Sequence, residues 1–240
     1  MTSVAYYKGR LSELLLEPYQ NATARLACPP AAAPKPGEYL QAFDPSNALE
    51  AVATSVFAAG PVERTEDGEG SLLILAVLPE GWQPGTQLEL RGPLGQGFEL
   101  PRRAQRVALA ALGAGPGRLL PLVTPALGQR AEVVLCCDTP VRALPMAVEV
   151  RGLDGLPEAL RWADYVALDV PLEEVDQLTA SLSRVPRQVS GQALVFSPMP
   201  CGGLAQCGVC TLSTPKGMWL ACEEGPVFQI GQIVDLSIGR

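Results

Sequence analysis

Met199-Pro200-Cys201-Gly202-Gly203-Leu204-Ala205-Gln206-Cys207-Gly208-Val209-Cys210 is followed, after eleven further residues, by Cys222. Four of the seven cysteines of the chain therefore lie in one short C-terminal segment, with the spacing Cys-x5-Cys-x2-Cys-x11-Cys. The glycines between them allow the main chain to turn tightly and to point backbone N–H groups at negatively charged sulfur. This segment is predicted to hold an inorganic group through thiolates.

Three cysteines in one loop and a fourth farther along resemble the ligand layout of plant-type [2Fe–2S] proteins. We therefore predict that Cys201, Cys207, Cys210 and Cys222 bind a [2Fe–2S] cluster. A structural zinc site is an alternative, although zinc modules usually contain two short-spaced pairs and only Cys207 and Cys210 form one here. Two disulfides are a further alternative, which the lack of a secretory leader disfavours.

Histidine is absent from the chain. A Rieske centre, in which histidines bind one of the two irons, is therefore excluded. Any mechanism that needs an imidazole as base or ligand is excluded for the same reason.

Composition limits the partners and the location. The 240 residues suffice for about two domains, and 48% of them are hydrophobic. The formal net charge is −7 with scattered Lys and Arg, so nucleic acid is not an expected partner. The longest apolar runs, 72–78 and 107–112, are far shorter than a membrane span, and the N-terminus lacks a signal-peptide pattern. We expect a cytoplasmic protein with no membrane span.

The N-terminal part has the pattern of an antiparallel β-barrel. Short runs rich in β-branched and aromatic residues alternate with turn residues, and the chain contains 24 glycines and 23 prolines. Strands are predicted at 10–16, 22–28, 38–43, 54–58, 71–78 and 86–91.

From residue 106 onwards, strands alternate with helices, which predicts a parallel α/β sheet. Strands are predicted at 107–112, 131–137, 165–170 and 193–196, helices at 118–127, 156–163 and 172–182, and a hairpin at 227–238. The fold class is therefore α+β and multi-domain. We predict a barrel over 1–103, a reduced α/β domain over 104–197 and a small cluster-binding domain over 198–240. Cys136 and Cys137 end an apolar strand and are predicted to be buried and inert.

Four local motifs carry a resemblance to a known family. The stretch Pro36-Gly37-Glu38-Tyr39 is similar to a turn that opens a barrel strand, and Gly92-Pro93-Leu94-Gly95-Gln96-Gly97-Phe98 is similar to a barrel-exit motif. The third motif is the cysteine segment, and the fourth is Cys222-Glu223-Glu224-Gly225-Pro226-Val227-Phe228. Their order resembles that in the electron-transfer subunits of the two-subunit, NAD-linked dihydroorotate dehydrogenases, a branch of the ferredoxin reductase superfamily.

This resemblance implies a fold, three cofactors and a partner. The barrel and the α/β domain would hold FAD between them, the α/β domain would receive NAD(H), and the [2Fe–2S] cluster would pass electrons to a flavoprotein catalytic subunit in a hetero-oligomer. The residues that it implies for FAD are Thr54, Ser55, Gly70, Ser71, Gly95 and Gly97. Those that it implies for the nucleotide are Gly113, Gly115 and Gly117.

The chain departs from the family pattern in three places. The arginine of the family's flavin motif has no counterpart in residues 50–57, and the Cys-Gly-Pro motif near the nicotinamide is replaced by residues 165–171. Five residues separate the first two cysteines, where the family commonly has four. Two hypotheses follow: a flavin and [2Fe–2S] electron-transfer subunit, or an accessory subunit that binds a larger partner and holds only the cluster.

Overall fold

The computed structural model describes residues 4–15, 23–47, 52–64, 68, 70–113, 115–141, 144–182 and 190–233. Its first unit is a closed antiparallel barrel with the strand order β1-β2-β5-β4-β3-β6. Alternating apolar side chains, among them Leu11, Leu26 and Leu90, fill the interior. Closure pairs every strand on both sides, so the barrel has no exposed edge. The strands are β1 Tyr6–Leu15, β2 Thr23–Cys28, β3 Tyr39–Phe43, β4 Thr54–Arg64, β5 Gly70–Leu75 and β6 Gln87–Leu94.

The second unit is a parallel sheet. Its strands are β7 Arg106–Ala111, β8 Glu132–Cys136, β9 Val148–Arg151, β10 Tyr165–Pro171 and β11 Ser190–Phe196, in the order β11-β10-β7-β8-β9. β10 is buried along its whole length, as expected for a strand covered on both faces. The connecting helices are α1 Val123–Gly128, α2 Leu156–Trp162 and α3 Val175–Leu182, preceded by 3-10 turns at Pro116–Arg118, Leu120–Leu122, Leu153–Gly155 and Leu172–Glu174.

Strand order changes direction between β7 and β10, because β8 and β9 follow on one side and β11 on the other. In open α/β sheets, such a switch point leaves a crevice at the carboxyl ends of the strands, and ligands commonly bind there. The side chains that follow β7 and end β10 are therefore of particular interest.

The C-terminal segment leaves this sheet and returns to it. After β11, the chain forms the cysteine loop and a small hairpin, β12 Thr211–Thr214 with β13 Gly217–Leu220. It then adds β14, Val227–Gln229, antiparallel to β11, and ends in the short helix α4, Ile230–Ile233.

The predicted barrel and parallel sheet are confirmed by the described strands. The hairpin predicted at 227–238 is wrong in its described part, because β14 pairs with β11 and a helical turn follows; residues 234–238 lie outside the described residues. β9 and the β12–β13 hairpin were not predicted from the sequence. The three domain boundaries stay predictions, and β14 shows that the third segment contributes a strand to the sheet of the second.

Among the described residues, no helix has the length and apolar character needed to cross a lipid bilayer.

Gly95 joins the barrel to the C-terminal segment, and its replacement by alanine is expected to destabilise the fold. Gly95 has φ +76°, and a Cβ there would lie 2.5 Å from the Pro226 Cδ atom. The left-handed backbone costs about 1–2 kcal/mol for a non-glycine residue, and the clash adds about 1–3 kcal/mol. Urea denaturation of Gly95→Ala should therefore show a loss of about 2–5 kcal/mol in the free energy of unfolding.

Gly85→Ala is the matched control, because Gly85 has φ +101° and a Cβ there would meet no heavy atom within 4 Å. The free energy of unfolding of Gly85→Ala should fall only by the backbone contribution of about 1–2 kcal/mol. Equal losses in the two variants would show that the contact with Pro226 contributes nothing.

Candidate functional site

Three of the four C-terminal cysteines lie in the loop between β11 and β12, and the fourth, Cys222, follows β13. Cys201 is half-buried and Cys207 exposed, whereas Cys210 and Cys222 are buried; all four are free thiols. Positive φ angles at Gly202, Gly203 and Gly208, between 65° and 72°, fold the loop back on itself. The backbone N–H of Ala221 donates to the Cys210 carbonyl and closes the segment that carries the fourth cysteine.

The sulfur atoms form two pairs. The Sγ atoms of Cys210 and Cys222 lie 3.3 Å apart, and the side chains of Cys201 and Cys207 are hydrogen-bonded to each other. A disulfide requires an S–S distance of about 2.05 Å, so the buried pair is in contact without being bonded. In the part of the chain that the structure describes, no three His, Cys, Asp or Glu side chains converge in a geometry that would hold a single metal ion.

Backbone N–H groups of the loop point at Cys201. The N–H of Gln206 is the largest cause that lowers the pKa of this thiol to about 6, and the N–H groups of Leu204 and Cys207 add to the effect. Burial has the opposite effect on Cys222 and, with the hydrogen bond to Cys210, raises its pKa to about 12. The outer part of the loop therefore favours a thiolate before any ligand is bound.

This difference predicts the order of alkylation in the metal-free protein. Because the thiolate is the nucleophile, iodoacetamide at pH 7 should label Cys201 well before Cys222. The rate at Cys201 should fall as the pH drops through about 6, where its thiolate is protonated. Tandem mass spectrometry of tryptic peptides measures both, and labelling of Cys222 first would contradict the described burial.

The cysteine loop rests on the barrel. The Arg91 Nη1 atom, on β6, donates to the Gly202 carbonyl at 2.6 Å. The hydroxyl of Tyr39, on β3, lies against Gly203, where a Cβ would be 2.5 Å from the oxygen. Two barrel strands thus fix the position of the loop.

A cavity of about 480 Å³ lies between the barrel and this loop. Gln41 contributes a buried side chain whose Nε2 donates to the Ser55 hydroxyl at 2.8 Å, while its Oε1 has no partner in the described structure. Unpaired buried acceptors are uncommon in native proteins and indicate a missing donor. The cavity is lined by Tyr6, Gln41, Phe43, Val52, Ala53, Arg91, Pro200, Cys201, Gly202, Leu204 and Gln206.

The residues predicted for FAD are divided between several places. Thr54 and Ser55 begin β4 beside this cavity, whereas Gly70 and Ser71 pair with the opposite end of the same strand, at Arg64 and Glu63. These two pairs therefore do not meet in one binding surface, and their role as flavin contacts stays a prediction.

Gly95 and Gly97 contact other parts of the chain. The Gln96 N–H donates to the Gly225 carbonyl, and a Cβ at Gly97 would lie 2.7 Å from the Pro36 carbonyl. Three of the four motifs quoted from the sequence therefore meet at one joint between the barrel and the C-terminal segment. Packing alone accounts for the need for glycine at both positions.

The predicted nucleotide turn lies at the carboxyl ends of the sheet strands but packs on the protein. Gly113 has φ +68°, and a Cβ there would clash with the Glu174 carboxylate. A Cβ at Gly117 would lie 2.9 Å from Leu75 of the barrel. Gly115 lies near the buried Thr139 hydroxyl, which has no partner among the described residues.

A buried ion pair that the sequence analysis missed occupies the switch point. Arg118 donates through Nε and Nη2 to both carboxylate oxygens of Asp169, at 2.9 and 3.0 Å, and the two side chains are 3% and 0% exposed. The guanidinium carbon lies 4.1 Å from the ring centre of Phe196 and 5.7 Å from that of Phe57. Burial raises the pKa of Asp169, and the charge of Arg118 opposes that rise.

This pair bridges the two units, because Phe57 belongs to the barrel and Phe196 to the sheet. The family resemblance would put a flavin between barrel and sheet, yet the chain's own guanidinium and aromatic rings fill the contact here. The sequence signal for this ion pair was Asp169, an acidic residue inside the apolar run 165–171. A buried carboxylate needs a partner.

Comparisons with known proteins agree with the sequence motifs. No protein-family model matches the chain. It is 28% identical over 177 residues to the dihydroorotate dehydrogenase B (NAD(+)) electron transfer subunit of Desulforamulus reducens, covering 63% of this chain and 67% of that protein.

Solved structures show the same fold. The NADH-dependent reduced ferredoxin-NADP oxidoreductase, studied for flavin-based electron bifurcation, aligns with a TM-score of 0.68 at 16% identity, over 97% of this chain and 91% of its own. A cytochrome P450 reductase from Amycolatopsis aligns with a TM-score of 0.60 at 16% identity, over 81% and 71%. The chain thus has the fold of the ferredoxin reductases, and its predicted similarity to the electron-transfer subunit of NAD-linked dihydroorotate dehydrogenase is confirmed.

Proposed function

We propose that the chain is an electron-transfer subunit in which Cys201, Cys207, Cys210 and Cys222 hold a [2Fe–2S] cluster. The observation that carries this proposal is the arrangement of the four sulfurs as two pairs. Each iron of such a cluster takes two protein ligands, so two pairs suit the cluster. Zinc needs four ligands around one point, which favours iron over the alternative of a zinc module.

The hydrogen-bond donors of the loop support the same group. A [2Fe–2S] cluster carries negative charge on its thiolate and sulfide sulfurs, and backbone N–H groups stabilise that charge. The three N–H groups at Cys201 are such donors. Their effect on the thiol is already present without iron, so this side of the site is organised before the cluster binds.

We further propose that FAD is the second cofactor and that a pyridine nucleotide or another donor supplies electrons. The relatives named above support this part, and the cavity beside Thr54 and Ser55 borders the cysteine loop. A flavin takes up electrons in pairs, and a [2Fe–2S] cluster takes one at a time. Together they would connect a two-electron donor with a one-electron carrier. The acceptor would be a flavoprotein subunit of a cytoplasmic hetero-oligomer, such as a dihydroorotate dehydrogenase catalytic chain.

The visible spectrum of anaerobically purified protein tests this proposal. We expect a brown protein with equal amounts of iron and acid-labile sulfide, two of each per chain. Flavin released by heat is measured in the supernatant of the same sample. Zinc without sulfide, or a colourless protein without iron, would contradict the proposal.

The second candidate function is an accessory subunit that holds only the cluster. The Arg118–Asp169 pair favours it, because these side chains fill the contact between barrel and sheet. The absence of the family's flavin arginine favours it as well. Iron and sulfide without flavin, and no NADH-dependent reduction of an artificial acceptor by the isolated chain, would identify this function.

A further inference from the structure

Tyr39 has a buried hydroxyl group without a hydrogen-bond partner in the described structure. Its side chain is fully buried, and its ring lies 5.7 Å from that of Phe57, centre to centre. On its other side, a Cβ at Gly95 would be 3.0 Å from the Tyr39 Cε1 atom. Packing on both sides therefore holds the ring in place. A buried tyrosine usually has a hydrogen-bond partner for its O–H, and this hydroxyl lacks an acceptor.

The hydroxyl points into the cysteine loop. It lies against Gly203, and the charged or ionisable groups that act on it are Cys222, Arg91, Cys210 and Cys201. Arg91 is a donor only, so it does not supply the missing acceptor. Burial is the largest cause that raises the pKa of Tyr39, and the oxygen therefore keeps its proton. The other ionisable groups that act on this hydroxyl are the thiols of Cys222, Cys210 and Cys201.

We propose that the Tyr39 O–H donates a hydrogen bond to a sulfur of the group that the four cysteines bind and thereby raises its reduction potential. The inference rests on the proposed [2Fe–2S] cluster. Reduction adds negative charge to the sulfurs, so a donor stabilises the reduced form more than the oxidised form. The glycine at position 203 leaves room for the Tyr39 hydroxyl, since any side chain there would occupy the position of that hydroxyl.

Tyr39→Phe in the cluster-loaded protein removes the donor and retains the ring. Iron and labile sulfide per chain should stay as in the unmodified protein, while the midpoint potential of the cluster should fall. The equilibrium constant for reduction should decrease up to tenfold, which is 59 mV for one electron. Redox titration followed by electron paramagnetic resonance measures the midpoint directly, without any assay of electron transfer to a partner.

Tyr165→Phe is the matched control. Tyr165 is also a buried tyrosine, but its hydroxyl donates to the Gln192 Oε1 atom at 2.7 Å. It begins β10, at the opposite end of the strand from Asp169 and the crevice. The midpoint potential of the cluster in Tyr165→Phe should equal that in the unmodified protein.

Incorporation of 3-fluorotyrosine at position 39 gives a second variant that keeps the shape of the side chain. The ring fluorine makes the O–H more acidic and a stronger donor, so the midpoint should rise. Unchanged midpoints in both position-39 variants, with the cluster present, would overturn the proposal. Absence of iron and sulfide from the unmodified protein would overturn the proposed function, and with it this inference.

Discussion

Cys210→Ser is expected to leave the purified protein without bound iron, without labile sulfide and without visible absorption from a cluster. Cys210 is buried, and its Sγ atom lies 3.3 Å from that of Cys222, so the substitution removes one sulfur from the inner pair. Serine is a poor substitute because its hydroxyl does not ionise near neutral pH, whereas cluster ligands are thiolates. Any flavin should be retained, since none of the residues predicted to bind it lies in this loop.

Cys137→Ser is the control for this prediction. Cys137 is buried directly after β8, and its side chain donates to the Thr139 carbonyl, an interaction that a serine hydroxyl also makes. Iron and sulfide contents should therefore equal those of the unmodified protein. A full cluster in Cys210→Ser, or its loss in Cys137→Ser alone, would show that the ligands have been assigned to the wrong cysteines.

Asp169→Leu is expected to destabilise the fold by about 3–5 kcal/mol, because it leaves the Arg118 guanidinium buried and without a counter-charge. Both partners are almost fully buried in the crevice between barrel and sheet, so water cannot replace the lost carboxylate. Urea denaturation, followed by circular dichroism, gives the change in the free energy of unfolding.

The double variant Arg118→Met with Asp169→Leu tests the cause of that loss. Replacing both charges by apolar side chains removes the unpaired charge, and most of the stability should return. Glu63→Gln is a surface control: Glu63 pairs with Arg25 at 2.8 Å but is largely exposed, and its loss should cost at most about 1 kcal/mol. A cost for Asp169→Leu no greater than that of Glu63→Gln would contradict the described burial.

The cysteine segment was predictable because its ligands lie close together in the chain. Spacing alone predicted three of the ligands in one loop and the fourth, Cys222, farther along the chain, and the structure places the Cys210 and Cys222 sulfurs in contact. The hydroxyl of Tyr39 was not predictable in the same way. Its strand was expected at 38–43, but its contact with Gly203 depends on a barrel and a loop that are remote in sequence.

Strand lengths show a second limit of the sequence patterns. β4 was predicted to end at residue 58, yet the strand continues through Gly60 and Pro61 to Arg64. The chain accommodates the proline at a register shift between Ala58 and Val62, where no ladder hydrogen bond is needed from it. The turn at Pro215 to Gly217 was an available sign of the missed β12–β13 hairpin.

The two ends of the cysteine segment are held side by side in the sheet. β11 and β14 are neighbours, and the Val195 N–H donates to the Pro226 carbonyl, so the segment departs from and rejoins the sheet across one inter-strand spacing of about 4.8 Å. The sheet therefore fixes both ends, and the cost of closing a loop changes only slowly with its length. A change in the length of this segment should therefore leave the register of the host sheet unchanged.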